Sequence, residues 1–269
     1  MLRRFLCAVF CAMLMLSAVV PSAAADSGWY CPKCGRWNPG DYNFCPNDRT
    51  EKPGGSGAAV RVGSYVTFGN YEQDNNMSDG REPIEWRVLA VDGDKVFLVS
   101  RYGLDLHLFH NTDADVTWSD CDMRRWLNGT FLTSAFNSSE QSAIQTTAVY
   151  NDASTGYNFG KGKEINPKYG PDTSDKIFLL SWQETQWYLK GTSDMKCKAT
   201  AYAAAHGAKV MRNGYCWWWL RSPGYTWHMA LGINSEGKRV PGDQRVNNDG
   251  ENTGLVRPAM WVNASAISR

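Results

Sequence analysis

Apolar and polar residues first alternate along this chain in short runs and only later cluster at helical spacing. Residues 64–71 (SYVTFGNY) set Tyr65, Thr67 and Gly69 against Val66, Phe68 and Asn70, the period-two pattern of a half-buried strand. Residues 84–91 and 95–100 are two β-rich runs around Asp92-Gly93-Asp94, which predicts a hairpin with Ile84, Trp86, Val88 and Ala90 on one face. A helix is expected from Trp118 onward. Ser119 is placed to cap it, Asp122 to reach back and Trp118 to staple against Met123, and Asn128-Gly129 is expected to end it. The spacing of a capping box recurs from Ser138 to Gln141. It recurs again from Ser181 to Glu184, directly after an apolar strand over 177–180. Residues 199–206 form an Ala-rich helix closed by Gly207, and the polar, Gly- and Asn-rich stretch 150–174 reads as a long surface loop. Near the C-terminus Ile233-Asn-Ser-Glu-Gly237 and Val246-Asn-Asn-Asp-Gly250 repeat one turn-forming pattern. Short strands and tight turns after a few short helices indicate an α+β fold with an antiparallel sheet.

The N-terminus breaks this pattern. Arg3 and Arg4 precede an apolar run over 5–20, and residues 21–25 end in small side chains with Ala23 and Ala25 in small-x-small register. This order reads as a secretory signal peptide over 1–25; the segment meets a membrane permanently only if it is retained. Removing Arg3 and Arg4 from the 28 basic residues leaves 26 against 27 acidic ones. A near-neutral mature chain with no basic block lacks the phosphate-neutralising surface that nucleic acid demands.

Six of the eight cysteines lie beyond that segment. Residues 31–48 read CPKCGRWNPGDYNFCPND. Cys31 and Cys34 form a knuckle with a glycine behind it, and Cys45-Pro46-Asn47-Asp48 occupies the place of a second knuckle. The stretch resembles the small zinc ribbons of bacterial multidomain proteins, with Asp48 where a fourth cysteine belongs. A structural zinc on Cys31, Cys34, Cys45 and Asp48 is the expectation. The Pro/Gly/Ser-rich segment 49–59 then divides a ribbon-like module over 26–48 from a main domain over 60–269.

Six landmarks follow one another in that main domain. They are Tyr65-x-x-Phe68-Gly69-x-Tyr71, Ile84-Glu85-Trp86-Arg87-Val88-Leu89, Arg125-Trp126-Leu127-Asn128, Phe178-Leu179-Leu180-Ser181, Trp217 to Gly224 (WWWLRSPG) and Val256-Arg257-Pro258-Ala259. In that order they resemble a domain-of-unknown-function family of exported proteins from Gram-positive gut bacteria, over residues 60–263. The W-L-R-S-x-G turn followed by V-R-P is also similar to the C-type-lectin-like fold of the formylglycine-generating, sulfatase-modifying branch. The resemblance therefore implies a C-type-lectin-like domain. It implies as well a C-terminal face that carries ligand-contacting positions, as in the variable targets of diversity-generating retroelements.

The residues themselves suggest roles for some of these landmarks. Arg221 and Arg257 sit in apolar stretches beside prolines and call for buried acceptors, with Glu85 a candidate. Trp217, Trp218 and Trp219 cannot share one face of a strand; Trp219 is expected in the core and one of the others at the surface. His107 and His110 have metal-compatible spacing only on a helix, and none of His107, His110, His206 and His228 meets a catalytic motif. The acidic turns at 92–94 and 247–249 lack calcium-loop spacing. Cys121, Cys197 and Cys216 do not match the cysteine pair of the formylglycine-generating enzymes, so such an oxidase is the alternative reading, and a Cys197–Cys216 disulfide is the expectation.

No enzyme is expected. Tyr225, Trp227, His228 and Met229 crowd one loop, and Arg239, Gln244 and Arg245 occupy the hairpins beyond it. Aromatic residues with arginine bury much area for little lost entropy, the composition of a recognition surface for an extracellular protein or glycan. A structural or assembly domain without a ligand is the remaining alternative.

Overall fold

A computed structural model describes residues 29–31, 33–34, 36–38, 45–47, 50, 60–160, 167–240, 244–247 and 253–267. The segment 1–25, Asp48, nearly all of the linker and the turn at 248–250 lie outside the described residues. Among the described residues, no helix is long and apolar enough to cross a membrane.

Two two-residue strands, β1 (Trp29–Tyr30) and β2 (Trp37–Asn38), pair antiparallel and frame the first cysteine knuckle. The main domain opens with β3 (Tyr65–Tyr71), β4 (Glu82–Asp92) and β5 (Lys95–Ser100), the strands that the alternation predicts. Asp92 pairs with Lys95 across a two-residue turn in which Gly93 takes a φ of 58°, the left-handed geometry that lets a hairpin follow the strand twist. Gly69 answers a tighter demand. It sits at a bulge in β3 with a φ of 69°, and a Cβ there would lie 2.4 Å from the ring of Phe136.

A short strand, β6 (Asp105–Leu106), precedes the helical part of the chain. There the boundaries differ from those expected. Trp118–Asp120 is a single 3-10 turn, and α1 (Asp122–Trp126) is capped by the Cys121 sulfur accepting from the Arg124 N–H, not by Ser119. Asn128-Gly129 does not stop the helix. The chain continues through a π turn (Leu127–Phe131) into α2 (Leu132–Ala135). Asn128 does not turn the chain because its amide is occupied elsewhere: it accepts from the N–H groups of Lys176 and Ile177 and donates to the Ile177 carbonyl. The cap of α3 (Ser138–Ala143) falls on Asn137, with Glu140 closing the box, one residue before the predicted position.

The polar loop is closed at its base by β7 (Thr147–Val149) pairing with β8 (Thr173–Asp175). The apolar run 177–180 makes only an isolated bridge, Phe178 to Ala259. The Ser181–Glu184 capping box is present as predicted and starts α4 (Trp182–Tyr188), and α5 (Ala201–Ala205) is the Ala-rich helix. The chain finishes with β9 (Trp218–Pro223), β10 (Met229–Ile233), β11 (Gln244–Arg245), β12 (Leu255–Val256) and β13 (Ala259–Asn263).

Two sheets share the core. One is antiparallel throughout, in the order β13-β5-β4-β3. The other runs β11-β10-β9-β12-β6 and is mixed, because β12 returns beside β9 in the same direction, Leu255 opposite Trp218. The expected antiparallel sheet is thus joined by a mixed one, and the class is α+β. Four buried tryptophans, 86, 118, 218 and 219, each donate the indole N–H to a buried oxygen: those of Phe68, Asp175, Met195 and His107 respectively. A buried indole left without an acceptor would cost stability, so these rings are core elements and not binding platforms. Trp217, half-buried, is the surface member of its triplet.

Candidate functional site

The two arginines in the apolar landmarks are buried as expected, but their partners differ from the candidate. Arg221, 3% exposed on β9, donates through both terminal nitrogens to Glu184 and also reaches the carbonyls of Leu179 and Tyr150. Arg257 is fully buried, donates to the carbonyls of Ser100 at 2.7 Å and Asp194 at 2.5 Å, and lies over the Trp218 ring. Glu85 serves neither. It pairs with Arg101 at 3.0 Å on the exposed side of the sheet, where β4 turns its charged face outward.

The expected recognition residues divide into two neighbourhoods on the C-terminal face. In the first, the Arg239 guanidinium lies 4.5 Å from the Tyr157 ring centroid and 5.4 Å from that of Phe159. Tyr157 contacts Phe159 and Trp182 edge-on, and Phe159 meets Tyr225 at 6.5 Å. Tyr157 and Phe159 come from the polar loop that sequence reasoning set aside. Their aromatic character was the available signal, masked by glycines and asparagines around them. In the second neighbourhood Trp227 is 44% exposed with its ring 5.7 Å from His228, and Arg245 pairs with Asp113 at 2.6 Å. Gln244 and Arg245 form β11 opposite Ala230 and Met229. Met229 also borders a cleft lined by Trp118, Arg221 and Ser222, whose volume of about 10 Å³ is roughly that of one water.

The histidines do not gather. His107 stacks on Trp126 with ring centroids 4.6 Å apart, and His110 Nδ1 lies 2.7 Å from Asp122, both on irregular backbone. Among the described residues, the groups able to hold a metal contain only cysteine or carboxylate. In one of them, Glu72, Asp74 and Glu82, the carboxylates accept backbone N–H groups of residues 73, 74 and 76 and shape the turn after β3.

The other group is Cys31, Cys34 and Cys45, whose sulfurs all lie within 4.8 Å of one another, close enough to hold a metal ion. Cys34 and Cys45 Sγ are 3.4 Å apart. Zinc–sulfur bonds of about 2.3 Å in a tetrahedron put sulfurs about 3.8 Å apart, so the cluster has the right scale. Both knuckles turn alike: the Cys31 N–H donates to Arg36 O and the Cys45 N–H to Thr50 O. Arg36 also donates to the Asn47 side chain at 2.5 Å and ties the two knuckles together.

Cys197 and Cys216 stand opposite each other across an antiparallel bridge, with Cys216 N–H donating to Cys197 O at 2.8 Å, but both are free thiols. The expected disulfide is thus absent, although the register brings the two residues together. Burial pushes the Cys197 thiol up to about 11 and that of Cys121 up to about 12, and it raises Cys216 as well. Thiols held protonated in this way are poor nucleophiles and poor metal ligands.

The largest opening among these features is none of those expected. Tyr65, Arg101, Tyr102, Ser193, Asp194, Lys196, Lys198 and Tyr215 surround a cavity of about 180 Å³. Its residues come from four separate parts of the chain, and only Tyr65 falls in a sequence landmark.

A family profile described as a domain of unknown function, DUF6273, matches residues 93–264. No curated protein and no solved structure matches the chain.

Proposed function

Since the chain belongs to the DUF6273 family, a family defined without an activity, we propose from the site itself that it is an exported, non-catalytic recognition module. Its C-terminal hairpin face would meet a protein or glycan outside the cell. The supporting observation is the grouping on that face of Arg239 with Tyr157, Phe159 and Tyr225, beside an outward-facing Trp227. An arginine laid on aromatic rings is held in place before a ligand arrives, so further contact orders little, which is how recognition surfaces gain affinity. His228, Met229, Gln244 and Arg245 would complete the contact area. The C-type-lectin-like architecture, and the use of this face as a diversified surface, rest on the resemblance of the WWWLRSPG and VRPA landmarks.

The N-terminal module would carry one structural zinc on Cys31, Cys34 and Cys45, with Asp48 as the fourth ligand. The ion's role there would be to hold two knuckles that have almost no apolar core of their own. Secretion follows from the reading of residues 1–25.

The test is capture of surface glycans and proteins by the wild type against a Tyr225→Ala/Trp227→Ala variant. Loss of capture by a variant that melts like the wild type is expected. Equal capture by both proteins would remove the hairpin face from the proposal.

A further inference from the structure

The cavity beside β3 has a charge balance that its own residues do not settle. Lys196 and Lys198 stand two residues apart on one side of an extended segment, with Cys197 turned inward between them. Both ammonium groups sit over the Tyr215 ring, at 5.3 and 5.6 Å from its centroid, and neither makes an ion pair among the described residues. Across the cavity Arg101 lies 4.6 Å from the Tyr65 centroid and 5.3 Å from that of Tyr102. Behind the wall, Arg257 is fully buried, donates to the Asp194 carbonyl, pairs with no carboxylate among the described residues and leaves Nη2 without an acceptor.

Few acids oppose these cations. Asp194 is taken by Arg87 at 3.3 Å and by the Tyr65 hydroxyl, and Glu85 by Arg101. Glu236, which feels Lys196 at longer range, is held by Lys238 at 2.9 Å. The unpaired positive charge lining this cavity is thus Lys196 and Lys198, with Arg257 buried behind Asp194. An anion held by the two lysines would also be attracted, at longer range, by the Arg257 guanidinium behind Asp194. Ring faces beneath the cationic heads hold them in place, so an arriving anion orders little.

The geometry points to a binding site for the phosphate of a phosphorylated sugar. At about 180 Å³ the cavity is smaller than the roughly 300–1,000 Å³ of pockets that enclose a whole ligand. It suits a single head group with the rest of the molecule at its mouth. A phosphate monoester carries about −1.5 to −2 charges at neutral pH and several acceptor oxygens, matching two free ammonium groups better than one carboxylate does. The remaining lining offers phenol rings and the Ser193 hydroxyl, which suit the C–H faces and hydroxyls of a sugar, and no aliphatic slot for a peptide side chain. This site is separate from the C-terminal hairpin face and does not rest on the function proposed for it.

The test is calorimetric titration of the full chain with glucose 6-phosphate at low ionic strength, compared with glucose, glucose 6-sulfate, glucuronate and inorganic phosphate. Saturable binding of glucose 6-phosphate with a Kd of about 1 mM or below is expected. Glucose and glucuronate should bind at least ~10-fold more weakly, and about 0.3 M salt should weaken the phosphate ester. Lys196→Gln/Lys198→Gln should lose at least ~10-fold with an unchanged melt. Lys95→Gln/Lys168→Gln, equally charge-reducing but outside the cavity lining, and Trp227→Ala should retain binding. Absence of saturable binding at about 10 mM ligand overturns the site. So does binding that survives the Lys196/Lys198 change, or equal loss in the control variant. Tighter binding of glucuronate or of the sulfate overturns the choice of phosphate.

Discussion

Arg221 and Glu184 join the end of one sheet to the start of one helix. Both terminal nitrogens of the buried guanidinium reach the carboxylate, and Glu184 Oε2 also accepts the Ser181 N–H that closes the capping box of α4. The same arginine holds the carbonyls of Leu179 and Tyr150, so a single side chain fixes β9, α4 and the entrance to the 150–160 loop. Removing one partner from such a pair strands the other charge in a place that water scarcely reaches. Glu184→Gln should cost about 3 kcal/mol in urea denaturation, and Arg221→Met at least as much. Ser181→Ala, which loses only a cap, should cost about 1 kcal/mol. A Glu184→Gln effect no larger than that of Ser181→Ala would show that the ion pair contributes little.

This pair also marks what the sequence could and could not reveal. Elements set by local chemistry were legible. The hairpin around Gly93, the Ser181 box and the Ala-rich helix, expected over 199–206 and found at Ala201–Ala205, follow from a few neighbouring residues each. Elements set by distant partners were not. Asn128 stays inside a helix because residues 176 and 177 occupy its amide, and Arg221 finds Glu184, 37 positions away, in preference to Glu85. Tyr157 and Phe159 were passed over for the same reason: a polar loop shows its aromatic cluster only when Arg239 folds onto it. The resemblance to a domain-of-unknown-function family agrees with the DUF6273 match, which spans residues 93–264 and leaves the landmarks at 65–71 and 84–89 outside it.

The two kinds of tryptophan should separate under mutation. Trp219 is fully buried, with its indole N–H on His107 O at 3.1 Å, whereas Trp227 projects from the hairpin loop. Trp219→Ala should lower stability by about 3–5 kcal/mol through the cavity and the orphaned carbonyl. Trp227→Ala should cost less than about 1 kcal/mol. Thermal melts of the two variants check this. A large loss in Trp227→Ala would make that ring a packing residue and weaken the case for the recognition face.

Alkaline pH should loosen the fold over the range in which the phenols and thiols of the unfolded chain ionise. Burial, followed by the neighbouring Asp105 carboxylate, raises the Tyr71 phenol; burial followed by Asp194 raises Tyr65, and burial chiefly carries Cys121 and Cys197 to about 12 and 11. These groups are neutral when protonated, and in the unfolded chain they release protons at lower pH than in the folded one. The unfolded state therefore binds fewer protons above pH about 8.5, and stability falls as the pH rises. The melting temperature should hold between about pH 7 and 8.5 and decline from about pH 9 to 11. Tyr71→Phe should remove part of the decline, and an unchanged slope in that variant would assign it to other groups.

The N-terminal cysteines give the most direct chemical prediction, because their sulfurs are near one another without an evident packing reason. Trp29, Cys31 and Cys45 are the only members of their buried apolar cluster among the described residues, too few to hold two knuckles by burial alone. A metal ion would supply the missing constraint, and thiolate ligands favour zinc at tetrahedral spacing. The purified full chain should release about one zinc per molecule on treatment with a thiol-blocking reagent. Cys45→Ser should lose that zinc, because it removes the sulfur 3.4 Å from Cys34 and leaves too few thiolates to compete with water. Asp48→Cys should keep zinc to lower pH and against stronger chelators, since a fourth thiolate replaces a weaker carboxylate. Zinc retained by Cys45→Ser at wild-type stoichiometry would place the metal elsewhere. A metal-free wild type whose Cys31, Cys34 and Cys45 all react as free thiols would mean that the knuckles hold their shape without an ion.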